Sequence, residues 1–277
     1  MQVISSDRVV VSVNPKGARL DSIIFDNLEI LKQPSDDRPT HSGMALMLPY
    51  ANRVRSASYI WNGAEYNLPR DREGNSIHGL VLDRIWRISA KTGSEVCLVT
   101  ELPQGHLPST LEVQQAYTVK DNELMCRTTA SNKGIHSCPF MVGYHPYFLH
   151  YGSWNVLASE VKRLNYVDRY FPDGTLTTED PNILSSKSGK IFDNCFTMHD
   201  VTLTTERYFA KFISSEFGYY VLYSGEWTEG KSVALEPMTG AVNCYHNRMG
   251  LITIEPGETY TVELRIILYQ SPTKITK

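Results

Sequence analysis

Residues 260–268 read YTVELRIIL, and the period of that stretch is two. Tyr260, Val262, Leu264, Ile266 and Leu268 fall on one side of an extended chain, with Thr261, Glu263 and Arg265 on the other. Such alternation describes a strand with one face in a core and one face toward water. The same period recurs outward from it. SYIWNGAEYNL (58–68) has two strand-like arms around Asn62-Gly63, residues that tolerate the positive φ of a type I′ hairpin turn. YTVKDNELMCRTTA (117–130) repeats the design around Asp121-Asn122, and SIIFDNLEIL (22–31) around Asp26-Asn27. Further strands are expected at 8–13, 84–90, 94–100, 139–148, 201–205, 210–214, 219–224, 232–236 and 251–255. No segment keeps an apolar stripe at helical spacing for three turns. Many short strands joined by turns predict an all-β sandwich or barrel. The turn-rich stretches 32–43, 69–79 and 168–190 are expected to be surface loops, and FPDGTLTTEDPN (171–182) is the most polar of them. With no composition shift and no repeat of fixed period, residues 1–277 are expected to form one domain.

The chain has 277 residues, 42% hydrophobic and 21% charged, an ordinary globular composition. A net charge of −3 gives no electrostatic footprint for nucleic acid or an anionic membrane surface. The opening MQVISSDRVVVSVN lacks the basic and apolar blocks of a secretory signal, and no apolar run approaches the roughly 20 residues that span a bilayer. Five widely spaced cysteines, an odd number without a Cys-x-x-Cys pair, argue against a zinc site and a full disulfide framework. A cytoplasmic protein with free thiols is the expectation. No His-x-x-x-His, Gly-x-Ser-x-Gly, glycine-rich phosphate loop or dinucleotide fingerprint is present. No metal and no cofactor are expected. Acid–base chemistry without a cofactor, or no chemistry, remains.

Two ionisable residues stand directly before prolines: His145 in GYHPYF (143–148) and Glu236 in ALEPMTG (234–240). Proline crowds the preceding residue into an extended conformation, which fixes where its side chain points. Glu236 lies among Val233, Ala234, Leu235 and Met238, so its carboxylate should be partly desolvated and its pKa raised toward the range of a general base. The plainer alternative is a strand glutamate facing water or paired with an arginine. His145 alternates with Met141, Gly143 and Tyr147 on one face, while Val142, Tyr144, Pro146 and Phe148 occupy the other. A histidine among aromatics can equally be a satisfied core residue. His78 in NSIHGL (75–80) ends a turn-rich loop, and Gly79 after it permits close approach of another chain or a ligand. Arg53 in LPYANRV (48–54) offers a fork of donors suited to hydroxyls or carboxylates, or a surface ion pair. Asp193 in KIFDNCF (190–196) reads as an Asx-turn or a ligand contact.

The order of these pieces is more informative than any one of them. LPYANRV, NSIHGL, GYHPYF, FDNCF (192–196) and LEPMTGAVN (235–243), closed by GLITIEPGETYTVELRIIL (250–268) and opened by GARLDSIIFDNLEIL (17–31), resemble the aldose 1-epimerase (mutarotase) family over nearly the whole chain. The resemblance implies a large antiparallel β-sandwich of the galactose mutarotase kind, with a monosaccharide in an open cleft on one sheet. It implies cofactor-independent interconversion of α and β anomers, with Glu236 as general base and His145 as general acid. His78, Arg53, Asp193, Asn52 and Tyr147 would contact the sugar. Tyr144, Tyr147 and Trp227 are aromatic residues that could underlie it. Two departures leave the preferred sugar open. Arg55-Ser56-Ala57-Ser58 stands where the family often has a glycine-rich turn, and EPMTGAVNCYHN (236–247) lacks the proline–aspartate of the best-known galactose mutarotases. A hexose-6-phosphate mutarotase, which would need cations beyond Arg53 such as Arg55, and a non-catalytic sugar-binding protein on the same scaffold are the alternatives. Monomer and homodimer are both compatible with the sequence.

Overall fold

The computed structural model describes residues 1–34, 36 and 38–272. Ser35 and Asp37, within the expected 32–43 loop, and residues 273–277 of the expected domain lie outside the described residues. Among the described residues the regular structure is nearly all strand. Every strand-to-strand ladder is antiparallel, and the main sheet system runs from Gln2–Ser5 to Thr259–Gln270. Among the described residues the α-helix is a single turn, Cys244–Asn247, and no helix is long and apolar enough to cross a membrane.

The period-two reading holds where it was sharpest. Val262, Leu264, Ile266 and Leu268 are buried, while Tyr260, at the strand's start, is 36% exposed and falls outside the core. This strand lies between Glu123–Asn132 and Tyr208–Ile213. Asn62-Gly63 and Asp26-Asn27 turn their hairpins with positive φ at both residues. At the third hairpin Asp121 alone of the two is left-handed.

Several expectations fail, each for a physical reason. The supposed 168–190 loop contains the strand Pro172–Thr178, whose six residues after Pro172 are all exposed, so no hydrophobic alternation marks it. Trp154–Tyr166 is a strand of 13 residues interrupted by register shifts and by Glu160 at φ 50°, which break the period. Met44–Met47 is buried on both faces and therefore shows no alternation. Asp193 sits not in an Asx-turn but at the head of the strand Asp193–Thr205.

Two apolar clusters divide the interior. The larger includes Val11, Leu98, Tyr144, Phe148, Leu235 and Leu264. The smaller includes Met47, Tyr50, Trp61, Met141, Cys195, Val221, Met238 and Tyr245. Because successive side chains of a strand point to opposite faces, Gly143–Leu149 and Ser232–Met238 send Tyr144, Phe148 and Leu235 to the first cluster. His145 and Glu236 point the other way. The site begins there.

Candidate active site

Gly143–Leu149 and Ser232–Met238 are neighbouring antiparallel strands, with Gly143 opposite Met238 and Tyr147 opposite Ala234. That register sets residue 145 opposite residue 236, and the two prolines that follow them, Pro146 and Pro237, withdraw backbone donors from this part of the ladder. Both prolines hold their predecessors extended. His145 Nε2 consequently lies 3.2 Å from Glu236 Oε1. Glu236 Oε2 and His145 Nδ1 have no hydrogen-bond partner among the described residues. On its other side His145 faces Ala45 of Met44–Met47, and its ring stacks on Tyr147 at 5.0 Å.

The pair is deeply set: His145 is 5% exposed and Glu236 2%. Burial pushes the Glu236 carboxyl well up, the charge of Asp193 adds to this, and Arg53 opposes it. Burial lowers His145 to about 3. Both directions have one cause, since low polarity penalises whichever form carries charge.

His78 is held beside the pair by an unusual backbone. It has φ 59°, donates its N–H to the Asn52 carbonyl at 2.9 Å, and sets its ring 5.2 Å from that of His145, edge to face. Gly79 follows at φ 85°, where a Cβ would stand 2.0 Å from the Leu48 carbonyl oxygen. The close approach expected at Gly79 is thus to the chain's own backbone. His78 Nδ1 lies 2.9 Å from Met47 Sδ. Asn52, itself left-handed at φ 54°, accepts the Arg53 N–H through Oδ1 at 2.9 Å.

Asn52, Arg53 and Asp193 line one small hollow with Tyr166, Arg169, Tyr170 and Val221. Val221 faces Glu236 on one side and Cys195 on the other, which places the hollow beside the strand that carries Glu236. Asp193 stands at its mouth, where the neighbouring side chains crowd the carboxyl and desolvation raises its pKa against the pull of Arg53 and Arg169. All seven residues expected at the site are therefore brought to one region: the pair, His78 and Tyr147 at the floor, Asn52, Arg53 and Asp193 above.

The open cleft implied by the resemblance is narrower here. The space it offers is about 10 Å³, room for about one water and far below the roughly 300–1,000 Å³ usual for small-molecule pockets. The reason is a strap. Tyr170 lies over the Arg53 guanidinium at 4.0 Å and donates its hydroxyl to Glu73, which also stands 3.6 Å from Arg53. Arg55 pairs with Asp168 at 3.0 Å and covers Phe171. Two loops thereby meet above Arg53. Neither His145 nor Glu236 lines this hollow, and the two larger hollows elsewhere on the surface contain neither of them.

Some expectations are corrected. Tyr144 is not at the site: it faces the larger core, where its hydroxyl meets Thr128 Oγ1 at 3.0 Å. Trp227 is no bare platform, because His41 stacks on it at 4.2 Å and the Arg38 guanidinium lies 4.7 Å from its ring. Arg169, Tyr170, Glu73 and His41 were not singled out as site residues. For Arg169 and Tyr170 the signal is a basic and aromatic pair after Asp168 in a polar segment, and Glu73 and His41 carry no local one.

A nearly all-β fold thus carries a facing carboxyl and imidazole beside a small polar hollow. The chain belongs to the aldose 1-epimerase family, whose family model matches residues 1–266. It is 26% identical over 273 residues to the uncharacterised Escherichia coli K12 protein YihR, covering 90% of this chain and 87% of that one. The fold is that of a galactose mutarotase-like protein from Clostridium acetobutylicum (TM-score 0.85, 17% identity, 97% of this chain and 95% of the other). A galactose mutarotase-like protein from Lactobacillus casei superposes similarly (TM-score 0.83, 19% identity, 97% and 100%).

Proposed function

We propose that the protein is a cofactor-independent aldose 1-epimerase that interconverts the α and β anomers of a free aldose. The observation that carries this is the 3.2 Å contact between His145 and Glu236, with an unpartnered oxygen and nitrogen left on the two groups. Glu236 takes the proton of the C1 hydroxyl while His145 donates one to the ring oxygen. The C1–O5 bond breaks and C1 becomes a carbonyl carbon. Rotation about C1–C2 presents the other face, and the reverse transfers close the ring. The two reacting oxygens share one carbon, so adjacent acid and base groups suit them. Ring opening leaves the carboxyl protonated and the imidazole neutral, which is the arrangement burial favours. Arg53, Asn52, His78 and Asp193 hold the ring hydroxyls, and Tyr147 backs the imidazole.

The strap of Tyr170 and Glu73 shifts to admit the sugar. The chain acts as one domain, a reading supported by a main sheet that takes strands from Gln2–Ser5 through Thr259–Gln270. Five free cysteines support a cytoplasmic setting. Polarimetry of freshly dissolved α-D-glucose, α-D-galactose and other common aldoses tests the reading, and no acceleration over buffer for any of them rejects it.

A second reading, hexose-6-phosphate mutarotation, draws on Arg169, exposed at the mouth with no carboxylate partner among the described residues. Arg55, the cation it first required, is engaged with Asp168. A higher kcat/KM on glucose than on glucose 6-phosphate removes this branch.

A further inference from the structure

Buried side-chain polar atoms without a partner are few among the described residues, and three of them belong to Arg53, His145 and Glu236. Such atoms are destabilising unless something meets them, and at a cleft that something is the ligand. A fourth, His41 Nδ1, is assigned to no role so far. His41 precedes Gly43, whose carbonyl accepts the Tyr147 N–H at 2.9 Å, and Tyr147 stacks on His145. The next strand, Met44–Met47, runs directly beside His145. A charge on His41 is felt by both His145 and His78. The imidazole is backed by Trp227 at 4.2 Å. Lys32 ties this wall to the floor: its ammonium bonds the Trp227 carbonyl at 2.9 Å and lies 6.0 Å from the Tyr147 ring.

We propose that His41, backed by Trp227, forms a second wall of the sugar site and hydrogen-bonds through Nδ1 to a ring hydroxyl remote from the anomeric carbon of an uncharged aldose. The inference rests on the epimerase reading and adds the residue that selects among aldoses. An uncharged partner follows from the wall's own charges. Arg38 is paired with Asp36, and Lys32 with Glu229. Burial, reinforced by Arg38, holds His41 below the ordinary imidazole value, so it meets the ligand as a neutral group. A neutral imidazole can bond a hydroxyl as donor or acceptor but brings no charge to neutralise a phosphate.

The test compares wild type, His41→Phe and His41→Asn on a parent aldose and its single-deoxy analogues. Phe keeps the stack on Trp227 and removes both nitrogens. A site built to bond a hydroxyl discriminates against the analogue lacking it. The expected result is about a tenfold loss of kcat/KM for His41→Phe on the parent, no loss on one deoxy analogue, and partial recovery with Asn. Equal losses on every analogue, or no loss on any, overturn the proposal. Calorimetric binding of the same sugars gives the same comparison in Kd without turnover. Binding without turnover by wild type refutes the reaction and leaves His41 decided by the Kd pattern, whereas no binding of any sugar removes both. Unchanged melting of the variants confirms that the folded protein is compared.

Discussion

Replacing Glu236 by glutamine keeps the volume of a side chain that is 2% exposed and still offers an oxygen to His145 Nε2. What is lost is a group that can take a proton at neutral pH. A positioned base contributes roughly 10²–10⁴-fold, or about 2.7–5.4 kcal/mol at 1.36 kcal/mol per decade. The structure places Glu236 in the upper part of that range. Burial raises its basicity, and Oε2 has no competing donor among the described residues. The assay is polarimetric mutarotation at pH 7, corrected for the spontaneous rate, alongside urea denaturation. kcat/KM should fall by about 10³–10⁴, with stability within about 1 kcal/mol of wild type, because the amide replaces an acid whose charged form burial disfavours. Retention of more than about a tenth of the activity would refute the assignment of Glu236 as base. A loss of more than about 3 kcal/mol in stability would show the residue to be structural.

The pair also sets opposing dependences of stability on pH. Glu236 has a raised folded pKa, so its contribution is complete below the ordinary carboxylate range and is lost as pH rises through the folded value. His145, lowered to about 3, contributes stability above the ordinary imidazole value that is lost as pH falls toward about 3. Urea titrations across pH should therefore show Glu236→Gln flattening the upper limb and His145→Asn the acid limb, each by up to about 1.36 kcal/mol per pH unit; unchanged slopes contradict the burial argument. Asp193→Ala should lower kcat/KM by about 10–100-fold, the worth of a charge-assisted hydrogen bond to a hydroxyl, and an unchanged kcat/KM would remove Asp193 from the site. Gly63→Ala meets open space and pays only for its left-handed φ, about 1 kcal/mol. Gly79→Ala should cost several times that, since its Cβ would stand 2.0 Å from the Leu48 oxygen; equal melting shifts for the two variants would contradict the packing described at His78.

How much of this was legible in the sequence depends on what kind of information each element needs. Val262, Leu264, Ile266 and Leu268 announce their own burial because alternation is local. Asn62-Gly63 announces its turn because positive φ is a property of the residues themselves. The strand Trp154–Tyr166 does not, because register shifts reset its period. The pairing of His145 with Glu236 is half legible: the prolines mark both residues as extended, but their opposition is a fact of register between distant segments. It came from family resemblance. The strap of Tyr170, Glu73 and Arg53 and the His41–Trp227 stack arise between loops far apart in the chain, and nothing in either segment alone encodes the meeting.

The division of labour between sheet and loops bears on how such a protein changes its preferences. On the epimerase reading the proton-transferring groups are His145 and Glu236, fixed by the hydrogen-bonded lattice, where a one-residue slip would turn both side chains to the opposite face. Glu73, Tyr170, His41 and Trp227 stand on connecting segments that tolerate substitution and insertion. A lineage can therefore exchange the rim piece by piece and sample new sugars while the reacting centre stays intact.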